Sequence, residues 1–382
     1  MSTEERPDLA GVRLALVLAT SAGGVGRHVR SVAAGLAARG AHVAVLGPAP
    51  TDELFGFAAT GTRFEAVDIS DRPRPVQDAR AVTRLRAMLS GADVVHAHGL
   101  RAGGLTALAT KSRRSGAPLV VTLHNAAPSG GVSGAAYAAL ERLVARSAAA
   151  VLGVSPDLEQ RMRDLGARSV RRALVPAPPT PVPGPAAREH VRMELGVGQR
   201  PLVLTVARLA DQKGLPTLLD AAAGWAGRDP VPLVVIAGDG PLERTLRARI
   251  EQEQLPVRLL GRRSDVPELL AAADVAVLPS VWEGQPLILQ EILRAGRPLV
   301  ATRVGGVAAM LGEPVESTDG EVGLLIPVGD AAALEGAVSR ILDDPGLAVR
   351  LGAAAAQRAV ELPTEADAVD QLVAVYRDVI RR

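Results

Sequence analysis

The sequence of 382 residues contains no cysteine, and aromatic residues make up only 2% of it. The absence of cysteine excludes disulfide bonds, thiolate metal sites and cysteine nucleophiles. The shortage of aromatic rings argues against a surface that stacks nucleobases, so we expect no nucleic-acid partner. The polar, acidic start of the chain precedes a single strand-length apolar run, which indicates neither a signal peptide nor a membrane span and predicts a cytoplasmic protein.

The net charge of +2 conceals opposite charges in the two halves of the chain. Residues 1–184 contain 22 Lys+Arg against 14 Asp+Glu, whereas residues 185–382 contain 21 against 27. A basic first half can attract an anionic acceptor, or bring the protein into peripheral contact with an anionic membrane. It can equally be a solvated face, or a surface that attracts the acidic half.

Apolar runs of strand length alternate with helical segments along the whole chain, which predicts parallel sheets covered on both faces. Six prolines in residues 175–185 exclude a helix or a central strand there. We therefore predict an N-terminal domain (1–175), a linker (176–185), a second domain (186–363) and a terminal helix (364–382) that crosses back to the first domain. The predicted fold class is α/β, with two doubly wound, Rossmann-like domains facing across a cleft.

The runs that predict strands lie in both halves of the chain. They are Arg13–Ala19, His42–Leu46, Phe64–Ile69, Asp93–Ala97, Leu119–Leu123, Ala149–Val154, Leu202–Ala207, Leu233–Ala237, Val257–Leu260, Val275–Leu278, Leu299–Thr302 and Gly323–Pro327.

Residues 274–302 combine a strand, a loop, a helix start and a second strand with two carboxylates. Glu283 falls in the predicted loop and Glu291 in the helix, with seven residues between them. Pro286 suits the first helical turn, and Gln285, at the predicted N-cap, is a poor capping residue. First-turn amides without a side-chain partner suit an anionic ligand.

Two cations follow the strand that ends near Ala207. Arg208 and Lys213 would lie at the carboxyl end of that strand, where together they can neutralise a diphosphate without a metal. Taken alone, they fit a solvated loop with incidental charges equally well.

A glycine-rich turn, Ser21–Gly26, follows the first predicted strand, and a helix is expected over Arg27–Arg39. Such a turn lets the backbone approach a phosphate closely, although a tight turn without a ligand remains an alternative. The second strand ends in Gly47 and Pro48 where a dinucleotide site needs an acidic residue, so NAD and FAD are disfavoured.

Three of the six histidines end predicted strands. His96 and His98 end one strand and His124 ends another, where an imidazole can donate to a sugar hydroxyl or to developing charge. We expect one of the three to be a hydrogen-bonded structural residue, and we rank His124 first and His98 second as functional candidates. No metal-ligand motif is present, so we expect neither a metal nor a cofactor.

An ordered series of motifs resembles the retaining nucleotide-sugar glycosyltransferases of family 4, which have the two-domain GT-B fold. The motifs are GGVGRHV (23–29), ADVVHAHGL (92–100), VVTLHN (120–125), GVSPDL (153–158), ARLADQKGL (207–215), IAGDGPLE (236–243), LLGRRSDVPELLAAADV (259–275) and the stretch with the paired glutamates. The resemblance implies transfer of a sugar from a nucleoside diphosphate sugar to a hydroxyl acceptor in glycan or glycolipid assembly.

The resemblance also implies roles for individual residues. Gly23 and Gly24 would approach the donor phosphates, Arg208 and Lys213 would bind the diphosphate, and Glu291 would hold the ribose hydroxyls. Glu283 and His124 would act at the transferred sugar, and His98 would contact the sugar or the acceptor. The remaining donor contacts would come from the backbone of the loop and helix start, at Gly284, Gln285, Pro286 and Leu287.

The chain departs from the family pattern in two places. PAPPTPV at 176–182 replaces an Asn-Gly-Val-Asp turn, and Ala308 and Ala309 replace a Pro-Glu pair. Two alternatives to glycosyl transfer remain open. One is a phosphorylase of the same fold that uses inorganic phosphate, and the other is a non-catalytic module that binds a nucleotide sugar.

Overall fold

The computed structural model describes residues 8–21, 23–110, 116–127, 131–181, 183–312 and 321–381. It divides into two compact units. Unit 1 comprises residues 1–176 and 363–382, and unit 2 comprises residues 177–362. Ala22, in the glycine-rich turn, and Val182, in the proline-rich segment, lie outside the described residues.

In the described part of unit 1, seven parallel strands form one sheet in the order β3-β2-β1-β4-β5-β6-β7. The strands are β1 (Arg13–Leu18), β2 (His42–Gly47), β3 (Arg63–Ala66), β4 (Val94–His98), β5 (Leu119–Leu123), β6 (Ala150–Gly153) and β7 (Val170–Arg172). The helices between them are α1 (Gly24–Ala38), α2 (Ala49–Phe55), α3 (Pro75–Met88), α4 (Leu100–Thr110), α5 (Gly131–Ser147) and α6 (Pro156–Asp164).

In the described part of unit 2, six parallel strands form a second sheet in the order β10-β9-β8-β11-β12-β13. They are β8 (Leu202–Val206), β9 (Leu233–Ala237), β10 (Val257–Gly261), β11 (Val275–Leu278), β12 (Leu299–Thr302) and β13 (Leu324–Ile326). The helices are α7 (Pro185–Glu194), α8 (Leu215–Gly224), α9 (Glu243–Gln252), α10 (Val266–Ala272), α11 (Leu287–Arg294), α12 (Val307–Leu311), α13 (Ala331–Asp343) and α14 (Pro345–Val360).

Most strands of unit 2 are predominantly apolar because both faces of the sheet are buried, whereas the edge strand β10 includes the exposed Arg258. Alternate residues of one strand enter different cores: Leu202 and Leu204 pack in one cluster, whereas Val203 packs in the other. Helices cover both faces, as expected for a parallel sheet. The prediction of two doubly wound α/β sheets is confirmed.

Each sheet has one point at which the strand order reverses. In unit 1 the chain returns from β3 to place β4 beside β1, and in unit 2 it returns from β10 to place β11 beside β8. Ligands of doubly wound sheets bind beyond the carboxyl ends of the strands at such a point. The loops after β1, β4, β8 and β11 therefore lie where a doubly wound sheet binds its ligand.

The last helix, α15 (Glu365–Ile380), packs within unit 1. It begins with a capping box between Thr364 and Asp367, and Asp370 forms an ion pair at 2.5 Å with Arg39, the C-cap of α1. Its Tyr376 is fully buried and reaches the end of β4. None of the described helices is long and apolar enough to cross a membrane.

The start of the proline-rich segment is held on α11 of unit 2. The Gln290 side chain accepts a hydrogen bond from the Ala177 amide at 2.7 Å. Arg294, one turn further along, donates to the carbonyl oxygens of Ala177 and Pro178 at 3.0 and 2.9 Å. These bonds satisfy backbone groups that a proline-rich chain cannot pair in a helix or sheet.

Three local predictions were wrong. The predicted strand Phe64–Ile69 overshoots β3, which ends at Ala66, since the ladder with β2 stops there. Strand β7 was not predicted, because it is a short edge strand containing two arginines. Helix α1 begins at Gly24, three residues before the predicted start, so Gly24 lies in the first helical turn.

Candidate functional site

The loops after β8 and β11 interlock at the point where the strand order of unit 2 reverses. The Val281 amide donates to the Gln212 carbonyl at 2.8 Å, and the Gln212 side chain donates to the Trp282 carbonyl at 2.9 Å. Residues Asp211–Lys213 form a single 3₁₀ turn. This turn brings the lysine side chain toward the second loop.

The carboxylate of Glu283 is the centre of these contacts. It is buried, with 5% of its surface exposed, and its Oε1 accepts hydrogen bonds from the Lys213 ammonium at 2.6 Å and the Ser280 hydroxyl at 2.7 Å. Its backbone oxygen accepts a bond from the Gly306 amide, in the loop after β12, at 3.0 Å. A buried charge paired in this way holds its loop in one geometry.

Gly214→Ala and Gly305→Ala are each expected to disrupt these loops. Both glycines have positive φ, and an added Cβ would lie 1.9 Å from the Pro279 oxygen or 1.8 Å from the Glu283 oxygen. We expect each substitution to lower the unfolding free energy by about 2 kcal/mol or more, measured by chemical denaturation. Gly227→Ala is the control, because a Cβ there meets no atom of the described part of the chain within 4 Å other than its chain neighbours. Equal stability of Gly305→Ala and Gly227→Ala would contradict the packing described.

The side chain of Arg208 is exposed just beyond β8. It has no hydrogen bond or ion pair with the described residues, whereas Lys213 is half-buried and paired. Lys213 is also one of only two lysines in the sequence. The site therefore offers one free guanidinium and one positioned ammonium at the carboxyl edge of the sheet. Two such cations can bind a diphosphate and stabilise charge that develops on it.

Helix α11 begins one residue later than predicted. Pro286 is the N-cap, with an extended backbone (φ −65°, ψ 122°), so the proposed N-cap role of Gln285 is wrong. Proline has no side-chain acceptor, and the helix start consequently has no side-chain cap. Glu291 lies half-buried on this helix, and Gly284, Pro286 and Leu287 are buried around its start.

The glycine-rich turn of unit 1 lies where β1 leads into α1. Gly23 is the N-cap of α1, and an added Cβ there would meet no atom of the described residues within 4 Å apart from its chain neighbours, so space is open beside it. At Gly26, by contrast, there is no room for a side chain, because an added Cβ would lie 2.1 Å from the ring of Phe55. The Ser21 hydroxyl accepts a hydrogen bond from the Gly26 amide at 3.1 Å.

Four of the six histidines lie together in unit 1, in what we call the histidine cluster: His28, His96, His98 and His124. His96 is hydrogen-bonded through both ring nitrogens, at 2.7 Å to the Tyr376 hydroxyl and 2.7 Å to the Thr122 hydroxyl. His98 Nδ1 lies 3.2 Å from His124 Nε2.

Neither His28 nor Tyr376 was singled out from the sequence. The ring of His28 lies 5.8 and 5.6 Å from those of His98 and His124. It shares the buried face of α1 with Val29, Val32 and Leu36, and this helical spacing was the signal available.

Burial keeps the histidine cluster uncharged at neutral pH. Loss of water lowers the pKa of His28 to about 4 and that of His96 to about 3. The pKa values of His98 and His124 are also well below the ordinary value, first because of burial and then because of the neighbouring imidazoles. These rings therefore act as neutral hydrogen-bonding groups.

The predicted site residues form one group in each unit. In unit 2, Lys213 and Glu283 are in direct contact, and Arg208 and Glu291 lie in neighbouring segments at the same edge of the sheet. In unit 1, His98 and His124 are in contact beyond adjacent strands. Across the described residues, no group of three or more His, Cys, Asp or Glu side chains could hold a metal ion.

Comparison with known proteins identifies the family. The model of the glycosyl transferase 4-like domain matches residues 23–178, and that of glycosyl transferases group 1 matches residues 188–358. D-inositol 3-phosphate glycosyltransferase from Acidothermus cellulolyticus is 30% identical, over 94% of this chain and 86% of that protein. The chain belongs to the family 4-type glycosyltransferases.

Other relatives of this chain match over a shorter length. Alpha-D-kanosaminyltransferase from Streptomyces kanamyceticus is 32% identical, over 63% of this chain and 63% of that protein. The teichuronic acid biosynthesis glycosyltransferase TuaC of Bacillus subtilis, whose assignment is provisional, is also 32% identical, over 65% of this chain and 61% of that protein. The match thus spans less than two thirds of these two relatives.

Solved structures show that the chain has the GT-B fold. Sucrose-phosphate synthase from Thermosynechococcus elongatus superposes with a TM-score of 0.78 at 23% identity, covering 97% of this chain and 99% of that one. HepE from Anabaena, solved in complex with UDP-glucose, superposes with a TM-score of 0.78 at 21% identity, covering 96% and 99%. At these identities the likeness concerns the fold.

Proposed function

We propose that the protein is a retaining glycosyltransferase that moves a sugar, of hexose type, from a nucleoside diphosphate sugar to a hydroxyl acceptor without a bound metal. The observation that carries the proposal is the contact of Lys213 with the buried Glu283, beside the free guanidinium of Arg208. A diphosphate leaving group requires cations, and these two supply them where a metal would otherwise be needed.

The reaction proposed is a front-face displacement. The bond between the anomeric carbon and the diphosphate oxygen breaks while the acceptor oxygen bonds to the same face of that carbon. The departing diphosphate oxygen takes the acceptor proton, so no protein base is required. Arg208 and Lys213 stabilise the charge that collects on the diphosphate, while Glu283 and the backbone of Gly284–Leu287 position the sugar. Glu291 holds the ribose hydroxyls, and His124 donates to the transferred sugar.

The names of similar proteins and solved structures support the proposal that the donor is a nucleotide sugar and the acceptor a hydroxyl group. The HepE structures contain UDP, or UDP-glucose. The named relatives include an inositol phosphate glycosyltransferase and a 2-deoxystreptamine N-acetyl-D-glucosaminyltransferase. We propose that unit 1 holds the acceptor and that the enzyme acts in glycan or glycolipid assembly. The basic excess of residues 1–184 supports peripheral contact with anionic lipid, which co-sedimentation with anionic and neutral vesicles tests.

Donor binding is expected to change the fluorescence of Trp282. The sequence has two tryptophans, of which Trp225 is fully buried in the core while Trp282 is half-buried in the loop that carries Glu283. Titration with uridine, guanosine, adenosine and thymidine diphosphates should therefore identify the donor base, and Trp282→Phe should remove the signal without removing the thermal stabilisation by the same ligand. Absence of both signals with every nucleotide would refute the proposed donor site.

Transfer is expected to continue in EDTA and to give a product with the anomeric configuration of the donor, as determined by NMR. Loss of transfer that only a divalent metal restores would overturn the metal-free mechanism. Cleavage of a disaccharide that requires phosphate and no nucleotide would establish a phosphorylase instead. Tight donor binding with neither transfer nor hydrolysis would establish a binding module.

A further inference from the structure

Hydrogen bonds within the histidine cluster restrict which ring nitrogens carry protons. A neutral imidazole has one N–H donor and one acceptor, so two ring nitrogens can bond only when one of them is protonated. This condition applies to His98 Nδ1 and His124 Nε2, which lie 3.2 Å apart. His96 imposes no such restriction, because both of its partners are hydroxyl groups that can donate or accept.

The other nitrogen of His98 decides between the two arrangements. His98 Nε2 is buried and has no hydrogen-bond partner among the residues that the structure describes. If His98 accepted from His124, its proton would lie on Nε2 and a buried N–H would be left unpaired. If His98 donates from Nδ1, only a lone pair is left unpaired at Nε2. Orphaned buried N–H groups are the rarer case in proteins, so the second arrangement is favoured.

This arrangement fixes the tautomer of His124. Its Nε2 accepts from His98, and its proton must therefore lie on Nδ1. No described residue bonds His124 Nδ1, and this atom is not among the buried unpaired atoms of the described residues. His124, which follows β5 and is 9% exposed, thus presents an N–H donor at the carboxyl edge of the sheet.

We propose that His98 is a positioning residue that holds neutral His124 with its proton on Nδ1, ready to donate to a hydroxyl oxygen of the transferred sugar. This rests on the proposed function, in which His124 contacts that sugar. The transition state of glycosyl transfer carries positive charge on the sugar ring. A neutral donor orients the ring without the repulsion that an imidazolium would add, and His98 acts through His124 rather than on the sugar.

The tautomers can be read directly by NMR of protein labelled with ¹⁵N-histidine. His42 and His190 are exposed and lie outside the histidine cluster, so His42→Asn/His190→Asn leaves only the four cluster signals. Long-range ¹H–¹⁵N spectra distinguish Nδ1–H from Nε2–H rings. We expect Nδ1–H tautomers for both His98 and His124, assigned by single substitution. An Nε2–H tautomer at His124 would overturn the proposal.

Kinetics provide a second readout that a purely structural role would not reproduce. His98→Leu removes the donor to His124 and should lower kcat roughly 5- to 100-fold, with the KM for the donor unchanged. His98→Asn, whose amide nitrogen replaces Nδ1, should rescue most of this loss. In a His124→Ala background, His98→Leu should have no further effect on kcat, because its action passes through His124.

Failure of this proposal is distinguishable from failure of the proposed function. If the wild-type protein binds no nucleoside diphosphate and transfers no sugar, the proposed function fails whatever the tautomer. If the wild-type protein transfers sugar, the positioning role of His98 can still fail alone, in either of two ways. It fails if His98→Leu and His124→Ala lower kcat additively, or if the kcat of His98→Asn is as low as that of His98→Leu. Thermal melting of each variant identifies losses that come from unfolding.

Discussion

Lys213→Met is expected to weaken binding of the nucleoside diphosphate several-fold to a few hundred-fold, equivalent to about 1–3 kcal/mol. The same substitution should destabilise unit 2 by up to about 3 kcal/mol, because Glu283 would remain buried with only the Ser280 hydroxyl at its Oε1. Isothermal titration with the diphosphate identified by the Trp282 signal measures the first effect, and denaturant unfolding followed by tryptophan fluorescence measures the second.

A double substitution separates these two effects. Lys213→Met/Glu283→Gln also removes the buried Glu283 carboxylate that Lys213→Met leaves unpaired. The unfolding free energy of unit 2 should therefore return toward the wild-type value, while the affinity for the diphosphate stays low. Arg208→Ala should lower the affinity for the diphosphate without changing the unfolding free energy of unit 2. The reason is that the Arg208 side chain has no bond to the described residues. Arg247→Ala, at an exposed i,i+4 ion pair of α9, is the control for loss of a positive charge. Unchanged affinity in both Lys213→Met and Arg208→Ala would show that the diphosphate binds elsewhere.

The fold was predictable where the chain is almost wholly apolar. The bounds of β5, β9, β11 and β12 agree with the predicted runs, because these parallel strands are buried on both faces and are apolar apart from one threonine each in β5 and β12. Edge strands lack this signal. Val170–Arg172 forms β7 through backbone pairing with β6 and includes two arginines, so no apolar run marks it.

The candidate site was predictable as a list of residues but not as a set of contacts. Lys213 and Glu283 were each placed after a strand, yet their ion pair joins residues 70 positions apart and depends on a 3₁₀ turn meeting a loop. The contact of His98 with His124 likewise depends on the register of β4 and β5. Local sequence patterns place residues at the edge of a sheet, whereas the closing of loops decides which of them touch.

Acidification is expected to unfold unit 1 before unit 2. Burial lowers the pKa of His28 to about 4 and that of His96 to about 3. Both values lie below the ordinary pKa of 6.5 that applies in the unfolded chain. Between these values the unfolded chain binds more protons, so stability is fully present above about pH 6.5 and falls as the pH decreases toward 4. Each such histidine contributes up to about 1.4 kcal/mol per pH unit in that window.

The aromatic residues allow each unit to be followed separately. Both tyrosines, Tyr137 and Tyr376, belong to unit 1, and both tryptophans belong to unit 2. Tyrosine absorbance should therefore report a steeper pH dependence than tryptophan fluorescence in denaturant melts between pH 7.5 and 4.5. His28→Asn should reduce the slope seen by tyrosine by about one proton. Equal slopes for the wild type and His28→Asn would mean that His28 takes up its proton in the folded state, and burial would then not be what keeps the histidine cluster neutral.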